Sequence, residues 1–240
     1  MTTINIKCEG KNVQFSSFNV NDISSLSSVL IIGKDCHTRR TLITNILNNQ
    51  FIQNSLIISP AEKHTHFYKD KYPSAKIEHE YSSHLITSFI NEKCKGAIVF
   101  DECKITGNQW SSDPAFKDLI YNARHYNKLL IFVIPFPLNI PPEFRCNFDY
   151  IFLLSNDFYS NQKKLYDHYA GMFPTFNSFR QVFLQLTEND GAMTICNRGA
   201  KKDLLDKIFW YNADHTIDKK MENNQEKYID ESSIVIHITL

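Results

Sequence analysis

Two stretches of this chain carry residue types whose spacing could do chemistry. The first is Ala97-Ile-Val-Phe-Asp-Glu-Cys103, an apolar run of strand length that ends in adjacent carboxylates, Asp101 and Glu102. If the run is a buried parallel strand, both acids emerge at its C-terminal edge, where open α/β sheets bind ligands. There one acid can hold Mg²⁺ while its neighbour polarises a water for attack on a phosphoryl group. A buried strand can equally end in Asp-Glu because a loop begins, so the stretch alone leaves both readings open.

The second stretch is Gly33-Lys-Asp-Cys-His-Thr-Arg-Arg-Thr41, which follows a short apolar run and precedes a helical pattern. A phosphate-binding loop belongs at such a place and has the form G-x-x-x-x-G-K-[ST]. Its glycines let backbone N–H groups converge on phosphate oxygens. Counting from Gly33 puts Thr38 at the second glycine, Arg39 at the lysine and Arg40 at the hydroxyl position. Thr38 is β-branched and resists the close approach and positive φ that glycine permits. Arg39 keeps the charge in a bulkier planar fork. Arg40 provides no metal ligand, and Thr41 could offer its hydroxyl only in a shifted register. Mg-ATP binding in the usual geometry is therefore disfavoured. Lys34, Arg39 and Arg40 at a helix N-terminus would instead suit a bound anion, or form a solvated basic loop.

The elements that must position these residues can be read from the apolar pattern. Val29–Ile32, Leu56–Ile58, Ala97–Phe100, Leu129–Ile134 and Tyr150–Leu154 are short, wholly apolar runs, as expected of strands covered on both faces. Lys76–Glu80 reads as an edge strand and Ala192–Cys196 as a last strand. Helical spacing appears over Thr41–Leu47, Leu85–Ile90, Asn161–Tyr169 and Thr175–Leu186. Asp113-Pro114 opens another helix towards Arg124, with Asp as N-cap and Pro in the first turn. Pro135–Pro142 is an extended loop that cannot be helical, and Leu204–Tyr211 reads as a short amphipathic segment. Before all this, Thr3–Lys7 and Asn12–Phe15 flank Glu9-Gly10-Lys11, a hairpin signature. Alternating strands and helices predict a mainly parallel, doubly wound sheet. The expected division is a hairpin and connection over 1–27, the main domain over 28–212, and a polar tail over 213–240 whose Ser233–Leu240 could add a strand.

Composition narrows the classes. The 240 residues are 42% hydrophobic with 18 Phe, enough for a sizeable, bulky core. Lys+Arg and Asp+Glu are both 26, so no chain-wide positive field draws in nucleic acid, although a local patch would not show in the sum. The six cysteines are scattered without a C-x-x-C pair, which argues against structural zinc and for reduced thiols. Neither a secretory signal nor an apolar run of the ~20 residues that a membrane helix needs is visible. The expectation is a soluble intracellular protein.

Several further blocks carry a resemblance. Ile57-Ile-Ser-Pro-Ala-Glu62 with Phe67-Tyr68, Ile98–Cys103, Asn122-Ala-Arg-His-Tyr126 and Pro137-Leu-Asn-Ile-Pro-Pro-Glu-Phe-Arg145 stand in order along the chain. Asn147-Phe-Asp-Tyr150, His168-Tyr-Ala-Gly-Met-Phe-Pro174, Thr187-Glu-Asn189 and Phe209-Trp-Tyr211 continue the series. Together they resemble the poxvirus-type DNA-packaging ATPases of nucleocytoplasmic large DNA viruses, members of the FtsK–HerA group of P-loop proteins. The resemblance covers about residues 28–212. It implies an ASCE/RecA-like, five-stranded core sheet with helices on both faces, in which Ile98–Cys103 is the Walker B strand. It further implies that Asp101 would hold Mg²⁺, that Glu102 would orient water, and that a polar sensor would follow the fourth strand, where this chain has Pro135. Arg145 lies where the family keeps an arginine and could be an arginine finger or subunit-interface residue; a salt bridge to Asp149 or Glu143 is the plainer alternative.

These residues support two main functions. One is a packaging-ATPase paralogue with weak or no hydrolysis, acting in virion DNA packaging or assembly beside an active ATPase. The other is a divergent working ATPase that moves viral DNA with Arg39, Thr41, Asp101 and Glu102. An anion-binding module using Lys34, Arg39 and Arg40 is a third. Expected partners are a homo- or hetero-oligomer and, indirectly, viral DNA, with no membrane; the expected location is the host-cell virus factory or the virion.

Overall fold

A computed structural model of the chain describes residues 2–50, 52, 54–103, 112–138, 140–199 and 203–213. The predicted terminal strand Ser233–Leu240, and the tail from 214 onwards, lie outside these residues. Strands β1 (Thr3–Cys8) and β2 (Lys11–Ser16) form the expected antiparallel hairpin. Its two-residue turn places Glu9 and Gly10 at φ 49° and 77°, the left-handed pair that matches strand twist.

The apolar runs become strands of one eight-stranded sheet. They are β3 (Ser28–Ile32), β4 (Asn54–Ile58), β5 (Lys76–Glu78), β6 (Gly96–Asp101), β7 (Lys128–Ile134) and β8 (Tyr150–Leu154), followed by β9 (Gly191–Cys196) and β10 (Ile208–Asn212). The spatial order is β10-β9-β8-β3-β7-β6-β4-β5, and the six from β8 to β5 are parallel. The last two run antiparallel, and with β5 they extend the five-stranded parallel core, β8-β3-β7-β6-β4, that the resemblance implied. Leu204–Tyr211 is not one amphipathic segment: a single 3₁₀ turn at Leu204–Asp206 leads into β10. Phe209 and Tyr211 alternate with Ile208 and Trp210 because each neighbour opposes a β9 residue, a long-range pairing that local spacing does not reveal.

Helices cover both faces because the strands are apolar on both. On one face Val29, Ile31, Val99 and Ile131 pack under α1 (Cys36–Asn49), through Leu42, Ile43 and Ile46, and under α3 (Phe67–Lys71), through Tyr68. A single turn, α2 (Glu62–Thr65), precedes α3. On the other face Leu30, Ile98, Phe100 and Phe132 meet α4 (Ser83–Asn91) and α5 (Pro114–Asn122). Asp113 does cap α5, accepting from Ala115 N at 2.9 Å, with Pro114 in the first turn. The short α6 (Pro142–Arg145), then α7 (Tyr159–Tyr169) and α8 (Phe176–Leu186), complete the set. Ile6 and Phe15 of the hairpin belong to this second cluster, and Gln181 and Gln185 of α8 bond the hairpin backbone at Glu9 and Lys7. From the hairpin the chain runs along β10, where Ser17 bridges Trp210 and Phe18 N donates to Trp210 O at 2.7 Å. No helix among the described residues is long and apolar enough to cross a membrane.

Register brings the chemistry together. Ile32 lies opposite Ile134, and Asp101 opposite Val133, so Gly33, Pro135 and the acid pair emerge at one sheet edge. β7 stands between the strand that leads into Gly33 and the strand that ends in Asp101.

Candidate functional site at the strand edge

Gly33 is required where it stands. It has φ +148°, and a Cβ there would lie 2.6 Å from Leu154 Cβ. Only Gly33, Lys34 and Asp35 separate β3 from α1, which begins at Cys36 rather than at Thr41. Asp35 is the helix N-cap: its Oδ1 accepts from His37 N at 3.0 Å and Thr38 N at 3.3 Å, and its Oδ2 accepts from Thr38 Oγ1 at 2.6 Å. The first N–H groups of α1, which a phosphate would need, are thus held by the chain's own carboxylate. A second acid closes in, since Asp190 Oδ1 is 3.4 Å from Thr38 Oγ1 and Asp190 Oδ2 is 3.8 Å from His37 Nδ1. Asn189 and Asp190 both take left-handed φ, 49° and 57°, in the tight turn that presents this acid.

The three basic residues diverge instead of forming one anion site. Lys34 is exposed, with Nζ 4.5 Å from the centre of the Phe136 ring. Arg40 lays its guanidinium over Phe67 at 4.8 Å. Arg39 turns inward and is only 3% exposed. Its Nε lies 3.2 Å from Asp101 Oδ1 and its Nη1 contacts Glu102 Oε1. The Nε–H does not align with Asp101 Oδ1 as a hydrogen bond, so that contact is chiefly Coulombic. Tyr68 completes the cluster by donating its hydroxyl to Asp101 Oδ2 at 3.0 Å. Glu102 adopts φ 52°, a left-handed conformation that costs a non-glycine residue about 1–2 kcal/mol. Thr41 is half-buried in α1 and, among the described residues, makes no hydrogen bond to the acids.

Burial dominates the electrostatics. It pushes the Asp101 carboxyl above its ordinary range, and Arg39 and the Tyr68 hydroxyl pull it back part of the way. For Arg39 burial acts downward, but Asp101 and Glu102 outweigh it and keep the guanidinium charged. Burial and the adjacent Asp101 push Tyr68 well above the usual phenol value, so it remains a donor. The same two causes raise the Cys103 thiol to about 12, and its Sγ sits 3.1 Å from Ile58 O. It is not a nucleophile.

Two other expected residues stand apart. Arg145 does not pair with Asp149 or Glu143. Its Nε donates to Ile140 O at 3.0 Å, its Nη1 lies 2.9 Å from His168 Nδ1, and its guanidinium stacks 5.4 Å from the Tyr169 ring centre. Arg124 takes Asp149 instead, at 3.4 Å, because α6 turns Arg145 towards the proline-rich loop and α7. Pro135 follows β7 as expected and offers no polar side chain. Sequence reasoning missed Asp35, Tyr68 and Asp190. Asp35 carried a signal, an N-cap residue ahead of an apolar helical pattern; the other two meet the site only through tertiary packing.

The residues present do not fit a magnesium–nucleotide complex. A guanidinium lies between the acids that would take the cation, and a carboxylate holds the helix N-terminus that would take the anion.

The mainly parallel sheet, with its acid-ended strand and a glycine at the same edge, has the fold of viral genome-packaging ATPases. The genome packaging NTPase B204 from Sulfolobus turreted icosahedral virus 2, in complex with sulfate, matches with a TM-score of 0.54 at 12% identity, over 78% of this chain and 96% of that one. The same NTPase in complex with ATP-gammaS matches at 0.53 and 11% identity, over 72% and 92%. By sequence the chain is 30% identical over 199 residues to protein 088R of Invertebrate iridescent virus 3, covering 78% of this chain and 76% of that protein. It is 28% identical over 219 residues to protein L437 of Acanthamoeba polyphaga mimivirus, covering 83% and 77%. No family model matches the chain. The protein belongs to the family of 088R, whose members occur in large DNA viruses, and it shares its fold with the viral packaging NTPase.

Proposed function

We propose that this protein is a packaging-ATPase-fold subunit that does not hydrolyse ATP and serves genome packaging or virion assembly in a large DNA virus. It would act in an oligomer with its own kind or with an active packaging ATPase, and would meet viral DNA through that assembly in the virus factory or virion. The observation that carries this reading is Asp35. Its carboxylate holds His37 N and Thr38 N, with Asp190 beside it, so an arriving triphosphate would face two acids in place of free N–H donors. Phosphoryl transfer depends on positioning and on neutralising charge, and an edge without a phosphate cradle supplies neither.

A second reading, a divergent active ATPase, draws on one observation. Glu102 remains at the edge with its side chain 32% exposed, where water can reach it. Labelled ATP with Mg²⁺ separates the two, with Glu102→Gln as the control. No saturable binding up to millimolar ATP and no turnover is the expected result. Turnover above roughly one per minute that disappears in E102Q overturns the proposal, since competent kinases run at about 1–100 per second. Virus lacking the protein should accumulate particles that are empty or arrested in assembly.

A further inference from the structure

Asp101 is 2% exposed and Arg39 3%, and Tyr68, at 1%, bonds the other oxygen of the same carboxylate. Three elements meet here: α1 brings the cation, β6 the acids and α3 the phenol. One positive charge, that of Arg39, touches two negative ones. The two carboxylates offer the hard oxygen ligands that a divalent ion takes, yet a guanidinium lies against both, while the Tyr68 hydroxyl donates to the oxygen of Asp101 that Arg39 does not face.

We infer that Arg39 is the resident cation of a latent divalent-metal site formed by Asp101 and Glu102, and that it clasps α1 to the end of β6 in the metal's stead. The inference rests on the reading above, in which no metal–nucleotide complex competes for these acids. Its physical basis is effective concentration. A guanidinium tethered on a packed helix reaches the acids as an intramolecular partner, at an effective concentration far above that of cellular divalent ions. The acids stay as partners of Arg39, and the protein folds without metal. Among the described residues Arg40 is the other cation that faces Asp101, from over the Phe67 ring, and it is the group among them placed to replace Arg39 from within.

The test is thermal melting of the full chain with and without 1 mM MnCl₂, with no nucleotide present. Wild type should not respond. Arg39→Ala should melt about 6–15 °C lower, because a buried pair loses one partner, and Mn²⁺ should restore at least about half of that fall. R39A/D101N should lose the restoration. R39Q/R40Q keeps both side-chain stems and removes both charges, so neither a packing defect nor takeover by Arg40 can mask the response; it should gain from Mn²⁺ as R39A does. Indifference of both R39A and R39Q/R40Q to Mn²⁺, or an equal gain by wild type, overturns the inference. ATP turnover by wild type would sink the non-hydrolysing reading and leave the Mn²⁺ result standing, so the two fail separately.

Discussion

Among the described residues two cations are buried against this sheet, at its opposite edges, and they are held by different means. Arg39 sits at the C-terminal edge against two carboxylates. Lys128, with no exposure at all, begins β7 at the other edge, where its Nζ donates to Glu92 O at 3.0 Å and Cys94 O at 2.9 Å, and lies 4.6 Å from the Phe89 ring centre. Lys128 ties down a loop through neutral carbonyls that the backbone cannot remove. Arg39 compensates charges that exist only because the acid pair is there. A buried cation held by carbonyls depends on the backbone alone, whereas one held by acids depends on side chains that substitution can neutralise together with it.

Substitutions can break this contrast. Arg39→Ala should cost the most, about 3–5 kcal/mol in denaturant unfolding, because two carboxylates lose their counter-charge. The combination R39M/D101N/E102Q should recover to within about 2 kcal/mol of wild type, since neutral groups of similar volume often replace a buried ionic cluster at little cost. Lys128→Met should cost about 2–3 kcal/mol by leaving two carbonyls unpaired, and no companion substitution can rescue it because its partners are backbone. If the triple variant stays as unstable as R39A, the distinction between the two sites fails.

Gly33→Ala tests the acid-bearing edge by shape alone. A methyl group 2.6 Å from Leu154 Cβ, at φ +148°, should cost about 2 kcal/mol, and adding Leu154→Ala should not return it to wild type because alanine keeps the Cβ that the methyl meets and the backbone strain persists. The smallest effect concerns Asp113, an acid held by neutral donors and so the converse of Asp101. Burial pushes its carboxyl up, but bonds from Ser83 Oγ, Tyr81 OH and Ala115 N prevail and hold it below the ordinary range. Its contribution is therefore complete above the unfolded value near 4 and is lost as pH falls through the lower folded value. Asp113→Asn should cost about 1 kcal/mol at pH 7 and show a flatter loss of stability on acidification; an unchanged acid limb would refute the assignment.

The sheet was legible because its strands are buried on both faces: Val29–Ile32, Ala97–Phe100 and Leu129–Ile134 read as uninterrupted apolar runs and are strands. The acid pair was legible for the same reason, since a strand's end can be located from its run. What the sequence concealed lies between elements. Arg39 looked like part of a solvated basic cluster because nothing local says that a helix turns it inward. Arg145 could be read as an arginine finger, an interface residue or the partner of Asp149 or Glu143, and within the chain it meets a carbonyl and a histidine. The start of α1 was hidden by the template laid over Gly33–Thr41, although Asp35 already had the character of a cap.

The borders of the sheet have a consequence for assembly. β5 is three residues long, with charged Lys76 and Glu78 at its ends, and β10 is flanked by the Ser17–Phe18 segment that bonds Trp210. Strands kept short, charged or covered resist pairing with strands of another molecule. Copies of this chain, or a packaging ATPase beside it, should therefore join through helices and loops rather than by extending the sheet.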